Sequence, residues 1–205
     1  ELLIFIFVTM RGLVYKSTGS WYSVKTPSNE QFDCRIKGKF RLDGIKSTNP
    51  IAVGDYVDFE LEKNSDVVTG VINNICERKN YVLRKSVNLS KQTHILASNI
   101  DIVFLIITIS SPVTSTNFID RFLLTSNAYS INTVLLFNKI DLLDKVEKKV
   151  VEKLIEIYTN IGYECYEISA KNQFNIDKVE LLMKDKVSMF GGHSGVGKST
   201  LINSL

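Results

Sequence analysis

Residues 192–199 form a glycine-rich segment of the kind that binds phosphate. They read Gly-His-Ser-Gly-Val-Gly-Lys-Ser and fit the pattern G-x-x-x-x-G-K-[ST] at every fixed position. Glycine lets successive backbone N–H groups point at one phosphate. Lys198 can reach the β- and γ-phosphates of a nucleotide, and the hydroxyl of Ser199 can ligate Mg²⁺. His193 invites a catalytic interpretation, but we favour a loop side chain that faces away from phosphate. An ordinary glycine-rich turn is the alternative for the whole segment.

A second segment can read a purine base. Residues 138–141 are Asn-Lys-Ile-Asp and follow the apolar run 133–137. The carboxylate of Asp141 can accept hydrogen bonds from N1–H and the exocyclic amine of guanine, and adenine offers no such pair of donors. A site of this kind can discriminate by on the order of 10⁴. The stem of Lys139 can cover one face of the base, and Asn138 can link this segment to the phosphate loop. Asn and Asp after a strand are also common in ordinary turns.

A third segment, Ser169-Ala170-Lys171, follows the next predicted strand. The backbone N–H of Ala170 can meet O6 of guanine. The tripeptide is uninformative alone, but all three segments stand at the C-terminal ends of predicted strands, where ligands bind in open α/β sheets. The sequence therefore predicts one guanine-nucleotide site, formed by Asn138, Lys139, Ile140, Asp141, Ser169, Ala170, Lys171, Gly192, His193, Ser194, Gly195, Val196, Gly197, Lys198, Ser199 and Thr200.

The elements that position these segments alternate between strand and helix. Apolar residues predict two buried strands, at 100–107 and 133–137, and two more strands are predicted at 165–168 and 187–190. Helical spacing begins after a possible cap at Thr116 or Asn117, and again after a cap at Asp144. The alternation predicts a parallel sheet with helices on both faces.

Residues 10–85 predict a different architecture. Polar and apolar residues alternate along 32–40 and 56–61, which is typical of half-buried strands. About five short antiparallel strands predict a small barrel, with the five-stranded oligonucleotide-binding (OB) fold as the candidate. The predicted fold class is therefore β + α/β, with a polar linker at 86–98 and the α/β domain at 99–205.

Charge differs between the two halves. Residues 1–98 hold 14 basic and 10 acidic side chains, a net charge of +4, and residues 99–205 hold 11 and 12, a net charge of −1. A polyanionic partner for the first half competes here with an ordinary basic surface. Three widely spaced cysteines predict neither a disulfide framework nor a metal site. The apolar stretch 2–8 is too short to span a membrane, and we expect residues 1–9 to be a non-native or disordered leader before Met10.

The order of the motifs resembles that of the circularly permuted GTPases, in which N-K-x-D and S-A-K precede the phosphate loop. With a barrel-like domain in front, the chain is similar to the RsgA family of ribosome small-subunit-dependent GTPases over residues 11–205. The segments that carry the resemblance are 11–22, 34–41, 49–55, 84–86, 88–92, 117–122 and 192–203.

The resemblance implies a GTPase, a hydrolase that binds GTP or GDP with Mg²⁺, is stimulated by the small ribosomal subunit and acts in its late maturation. It also implies an OB domain that contacts ribosomal RNA. Arg35, Lys37 and Lys39 are the candidate RNA-binding residues, and an ordinary solvated strand face is the alternative. We expect a cytoplasmic monomer with no membrane partner.

The resemblance further implies parts that lie beyond Leu205: the family's switch threonine, its D-x-x-G segment and a C-terminal domain that binds Zn²⁺. We therefore expect no catalytic residue among the 205, an incomplete GTPase domain and negligible hydrolysis by this chain. Two other functions stay open. One is a non-catalytic RNA-binding module whose nucleotide domain is a scaffold, and the other is a permuted GTPase acting on another ribosomal client, such as the large subunit.

Overall fold

The computed structural model describes residues 9–36, 50–64, 67–85 and 93–205. The chain divides into two compact units, Glu1–Asn99 and Ile100–Leu205. Within the described ranges, no helix has the length and apolar character needed to cross a membrane.

A closed five-stranded barrel forms the core of the first unit. Its strands are Met10–Thr18 (β1), Trp21–Lys25 (β2), Gln31–Ile36 (β3), Tyr56–Asn64 (β4) and Val67–Ile75 (β5). They are arranged in the order β1-β2-β3-β5-β4, and β1 also pairs with β4. Alternation turns one side of each strand inward, so that the barrel core consists of Val14, Tyr22, Val24, Cys34, Ile51, Val57, Phe59 and Ile72.

The predicted barrel is confirmed, but one strand pairing differs from the prediction. β3 and β5 are parallel, whereas we expected antiparallel strands throughout. Alternation along a strand shows which side chains face inward, and it carries no information about the direction of the neighbouring strand.

A hairpin follows the barrel within the first unit. Tyr81–Lys85 (β6) and Thr93–Ser98 (β7) pair in antiparallel register. The predicted linker at 86–98 is therefore wrong for residues 93–98, and residues 86–92 lie outside the described ranges. The pattern failed because polarity does not follow burial here: Leu96 is 45% exposed, whereas Ser98 is fully buried.

A buried carboxylate joins this hairpin to the barrel. Asp55 is fully buried and receives two hydrogen bonds from the guanidinium of Arg78, at 2.7 and 2.6 Å. Ser98 Oγ donates to the same carboxylate at 2.5 Å, and so does the backbone N–H of Ala52 at 2.8 Å. Such a network stabilises the fold only while every partner is present, since an unpaired buried charge is costly.

A four-stranded parallel sheet forms the second unit. Its strands are Ile102–Ile107 (β8), Asn132–Phe137 (β9), Glu164–Glu167 (β10) and Ser188–Gly191 (β11), in the order β10-β9-β8-β11. All three pairings are parallel. The helices are Thr116–Ala128 (α1), Lys145–Asn160 (α2), Ile176–Met183 (α3) and Lys198–Ile202 (α4).

Helices cover both faces of this sheet, as the alternation of elements predicts. Side chains of α1 and α2 pack with one set of strand residues, and side chains of α3 and α4 pack with the other. All six residues of β8 are buried, which explains its uninterrupted apolar sequence.

The two predicted helix starts have different outcomes. Asp144 caps α2 by accepting hydrogen bonds from the backbone of Val146 and Glu147, both at 2.8 Å, so this prediction is confirmed. Helix α1 begins at Thr116, but its cap is Ser115, whose hydroxyl accepts from a backbone N–H at 3.3 Å. The predicted cap at Thr116 or Asn117 is wrong by one or two residues, because several neighbouring residues are suitable caps.

Candidate functional site

The glycine-rich segment lies between the end of β11 and the start of α4. Gly192 and Gly197 have φ angles of 139° and 99°, which only glycine adopts readily. A Cβ atom at Gly192 would lie 2.7 Å from the carbonyl oxygen of Ile106, and one at Gly197 would lie 2.5 Å from the side-chain nitrogen of Asn138. The loop therefore needs glycine for close approach as well as for its backbone angles.

Lys198 is held against the beginning of this loop. Its ammonium group donates to the carbonyl oxygens of Gly192, at 2.9 Å, and His193, at 2.6 Å. The side chain of Val196 is fully buried and anchors the loop in the core. Ser199 and Thr200 are exposed in the first turn of α4. The loop thus presents backbone groups, one ammonium and a hydroxyl on its open side.

Asn138 connects the other two motifs with this loop. It follows β9 directly, and its side chain is only 3% exposed. Its amide nitrogen donates to the carbonyl oxygen of Val196 at 2.8 Å, and its amide oxygen accepts from the backbone N–H of Ala170 at 3.1 Å. One side chain therefore fixes the spacing of three segments that are far apart in sequence.

Asp141 carries the carboxylate that the sequence assigns to base recognition. Its Oδ1 accepts a hydrogen bond from the hydroxyl of Ser169 at 2.6 Å. That hydroxyl in turn accepts from the backbone N–H of Asn172 at 3.1 Å, and Ser169 is buried. The carboxylate is exposed but oriented, because a buried and fully bonded hydroxyl holds one of its oxygens.

Lys139 extends from the base-reading segment to the phosphate loop. Its ammonium group donates to the carbonyl oxygens of Gly195, at 2.7 Å, and Ser111, at 2.6 Å. Its backbone is in the left-handed region, with φ of 67°. The aliphatic stem therefore crosses the gap between the two motifs.

A cavity of about 180 Å³ lies where the motifs meet. Residues of all three motifs line it, including Asp141, Ala170 and Gly197. Lys171 and Thr200, which the sequence also predicts as nucleotide-binding residues, line the same cavity. The backbone N–H of Ile140 donates to the carbonyl oxygen of Ile168, directly after β10, at 3.4 Å. A planar ring in this cavity would lie between an oriented carboxylate and a glycine loop.

Family comparison agrees with this geometry. The family model described as the RsgA N-terminal domain matches residues 11–72, and the model described as the RsgA GTPase matches residues 75–205.

The chain belongs to the RsgA family.

Curated relatives extend the comparison. The chain is 60% identical over 196 residues to a protein of Flavobacterium johnsoniae and 61% identical over 196 residues to one of Christiangramia forsetii. Both are named "Small ribosomal subunit biogenesis GTPase RsgA". The alignments cover 96% of this chain but 60% and 62% of the relatives. The chain therefore spans about three fifths of the length of the RsgA proteins it matches.

Two solved structures have a similar fold. YjeQ from Thermotoga maritima matches 96% of this chain and 65% of its own, with 33% identity and a TM-score of 0.77. YloQ, described as a circularly permuted GTPase, matches 96% and 64%, with 31% identity and a TM-score of 0.72.

The structure adds two contacts to the RsgA site that sequence reasoning missed. Ser169 orients Asp141, although the sequence assigns this serine no role beyond the tripeptide pattern. His193 packs its ring on Phe118 of α1, with 3.9 Å between ring centroids. The second contact agrees with a loop side chain that serves packing. Helical spacing places Phe118 near the start of α1, but only the tertiary structure shows what its ring touches.

The RNA-binding candidates of this RsgA-family chain are only partly described. Arg35 lies on β3, where its guanidinium donates to the carboxylate of Glu62 at 2.8 Å, with side-chain exposures of 49% and 38%. Lys37 and Lys39 lie outside the described residues. The assignment of these three residues stays a prediction.

The donor set at the motifs suits a nucleotide with Mg²⁺. The glycine loop packs so closely on neighbouring segments that a Cβ at Gly192 or Gly197 would clash with them, and Ser199 offers an exposed hydroxyl at its end. In the described part of the chain, no group of three or more His, Cys, Asp or Glu side chains could hold a metal ion alone. A metal at this site would therefore take oxygen ligands from the nucleotide and from water as well.

Proposed function

We propose that this chain binds a guanine nucleotide with Mg²⁺ and that the whole protein hydrolyses GTP during late maturation of the small ribosomal subunit. The observation that carries the proposal is the pair of hydrogen bonds made by the side chain of Asn138, one with Val196 and one with Ala170. It brings the base-reading and phosphate-binding segments to one cavity. The names of the curated RsgA relatives support the same reaction and the same ribosomal particle.

Base selection follows from the carboxylate of Asp141. Ser169 holds Oδ1, so the carboxylate presents a fixed pair of acceptors toward the cavity. Guanine offers two parallel donors, N1–H and the exocyclic amine, and adenine offers an acceptor at N1 instead. The N–H of Ala170 completes recognition at O6, while the stem of Lys139 covers one face of the ring.

Phosphate binding follows from the loop and Lys198. Backbone N–H groups of the glycine loop surround a phosphate, and the ammonium group adds a full positive charge beside it. Lys198 keeps its two carbonyl partners as a tether, which fixes the charge before the nucleotide arrives. Ser199 would ligate the bound Mg²⁺, which neutralises charge on the β- and γ-phosphates.

We further propose that the barrel contacts ribosomal RNA. Arg35 supports this, because its exposed ion pair with Glu62 is weak in water and can be exchanged for a phosphate contact. We also propose that the protein is a monomer and that it is located in the cytoplasm. The Zn²⁺ site implied by the resemblance is assigned to no residue of this chain.

Titration of the 205-residue chain with a fluorescent GDP analogue tests nucleotide binding. We expect GDP to compete, and ADP to compete on the order of 10⁴-fold more weakly. Lys198→Ala should weaken binding, whereas Lys148→Ala, on the exposed side of α2, should not. No binding of the analogue would instead support a non-catalytic RNA-binding module. Pelleting with purified small and large subunits identifies the client, and binding to the large subunit alone would overturn the assignment to the small subunit.

A further inference from the structure

A cavity of about 330 Å³ opens on the outer surface of the barrel. This is near the lower end of the range of about 300–1,000 Å³ that is usual for ligand pockets. Its centre is a row of direct cross-strand partners, Lys25 on β2, Leu13 on β1 and Tyr56 on β4. The row faces outward, because a neighbouring residue on each strand is buried in the barrel core: Val24, Val14 and Val57.

Gly12 of β1 also lines the cavity, and its inward side has no room for a side chain. A Cβ there would lie 2.5 Å from Cγ1 of Val24 and 2.9 Å from the carbonyl oxygen of Lys25. Any larger residue would push β1 and β2 apart at the floor. Thr26 and Pro27 close one end of the cavity. The lining is mostly apolar, and it consists of strand residues together with Thr26 and Pro27.

Both charged residues that line the cavity are cations. Arg11 lies two residues before Leu13 on the same face of β1, and Lys25 lies beside Leu13 on the neighbouring strand β2. The guanidinium of Arg11 is bonded to Asp58 at 2.8 and 3.3 Å, yet its side chain is 64% exposed. Exposed ion pairs contribute little, so this guanidinium can turn to an incoming anion at small cost.

We propose that this cavity binds an unpaired nucleobase of single-stranded RNA. The ring lies on the phenol ring of Tyr56, which is 45% exposed, and on Leu13. Lys25 and Arg11 contact the phosphates on either side of the base. The inference rests on the proposed contact between the barrel and RNA and assigns residues to it. RNA fits better than an apolar peptide because an aromatic wall accepts any base face, while the two cations complement phosphate.

Fluorescence anisotropy with end-labelled rA₆ and rU₆ tests this on the 205-residue chain. Tyr56→Ala should weaken binding of the hexanucleotide by about fivefold or more, which is the low end for one stacked base. Tyr56→Phe keeps the ring and should bind as the unsubstituted chain does. Lys25→Gln should reduce the slope of log K against log salt by about 0.7, the loss of one phosphate contact on a single strand. Thermal melts of each variant check that the barrel is folded.

Lys16→Gln is the matched control, because it removes the same charge from an exposed position of β1 outside the cavity lining. Equal losses for Lys16→Gln and Lys25→Gln would show a general charge effect and overturn the proposal. Unchanged hexanucleotide binding by Tyr56→Ala would overturn it as well. If that variant lost small-subunit pelleting while hexanucleotide binding stayed intact, the occupant would be a ribosomal protein. GDP binding is measured in a separate titration, so that failure of the nucleotide-binding proposal can be distinguished from failure of the RNA-binding proposal.

Discussion

Asp141→Asn should reverse the base preference of the nucleotide site. In the structure Oδ1 of Asp141 accepts from the hydroxyl of Ser169 at 2.6 Å. An asparagine can keep that bond through its own carbonyl oxygen. Its NH₂ group then stands where the second carboxylate oxygen was, and a donor faces the N1–H and exocyclic amine of guanine.

The magnitude follows from the bonds that change. Hydrogen bonds to a charged group contribute about 1.5–3 kcal/mol each, and neutral ones about 0.5–1.5 kcal/mol. The substitution removes one charged bond and makes the other neutral, a loss of about 3–4 kcal/mol, which corresponds to a rise in Kd for GDP of roughly 10² to 10³. Xanthosine diphosphate carries a carbonyl where guanine carries the amine. It regains one donor–acceptor pair with the asparagine, so its affinity should rise while that of GDP falls.

Competition against a fluorescent GDP analogue measures both affinities for each variant. Ser169→Ala is the control, because it frees the carboxylate without changing its charge. We expect it to weaken GDP binding by about tenfold, the low end for one hydrogen bond to a charged group, with no gain for xanthosine diphosphate. Equal GDP affinity of Asp141→Asn and the unsubstituted chain would refute the assignment of this carboxylate to the base.

Two further substitutions test the packing around the site and the barrel. Gly197→Ala should abolish nucleotide binding in the same titration, since its Cβ would lie 2.5 Å from the amide nitrogen that holds the phosphate loop; retained binding would show that the loop can move aside. Asp55→Ala should lower the free energy of unfolding of the barrel by about 3–5 kcal/mol, because it leaves the buried Arg78 guanidinium without an opposite charge, whereas Arg35→Gln breaks an exposed pair and should cost less than about 1 kcal/mol. Urea titration followed by the fluorescence of Trp21, the single tryptophan of the chain, reports on the barrel, and equal effects of the two variants would contradict the difference in burial.

The sequence predicts much of the second unit because its signals are local. Six consecutive apolar residues in β8 require cover on both faces, and the structure provides it. The three motifs each follow a strand, and parallel strands bring their C-terminal ends to one edge. The link from Asn138 to the phosphate loop was thus predictable from residue type and position together, and the bond to Val196 is present.

Features that depend on distant contacts were not predictable in this way. The parallel pairing of β3 with β5 depends on the path of the chain between the two strands. The residues of the strands themselves do not indicate their relative direction. The strand Thr93–Ser98 was missed because its serine is buried for a specific bond to Asp55. The same limit applies to Ser169, since a hydroxyl after a strand suits a turn as well as a carboxylate partner 28 residues away.

The geometry also explains why motif order along the chain does not determine this site. Asn138 precedes the phosphate loop by more than 50 residues, yet β9 and β11 are separated in the sheet only by β8. The backbone N–H of Asn138 bonds to the carbonyl oxygen of Ile107 at the end of β8, at 2.8 Å, and its side chain reaches past that strand to Val196. Sheet order and strand direction place the motifs, so a chain that enters the sheet at a different strand builds the same cavity. It follows that a change which alters the pairing of β8 with either neighbour should damage base and phosphate recognition together.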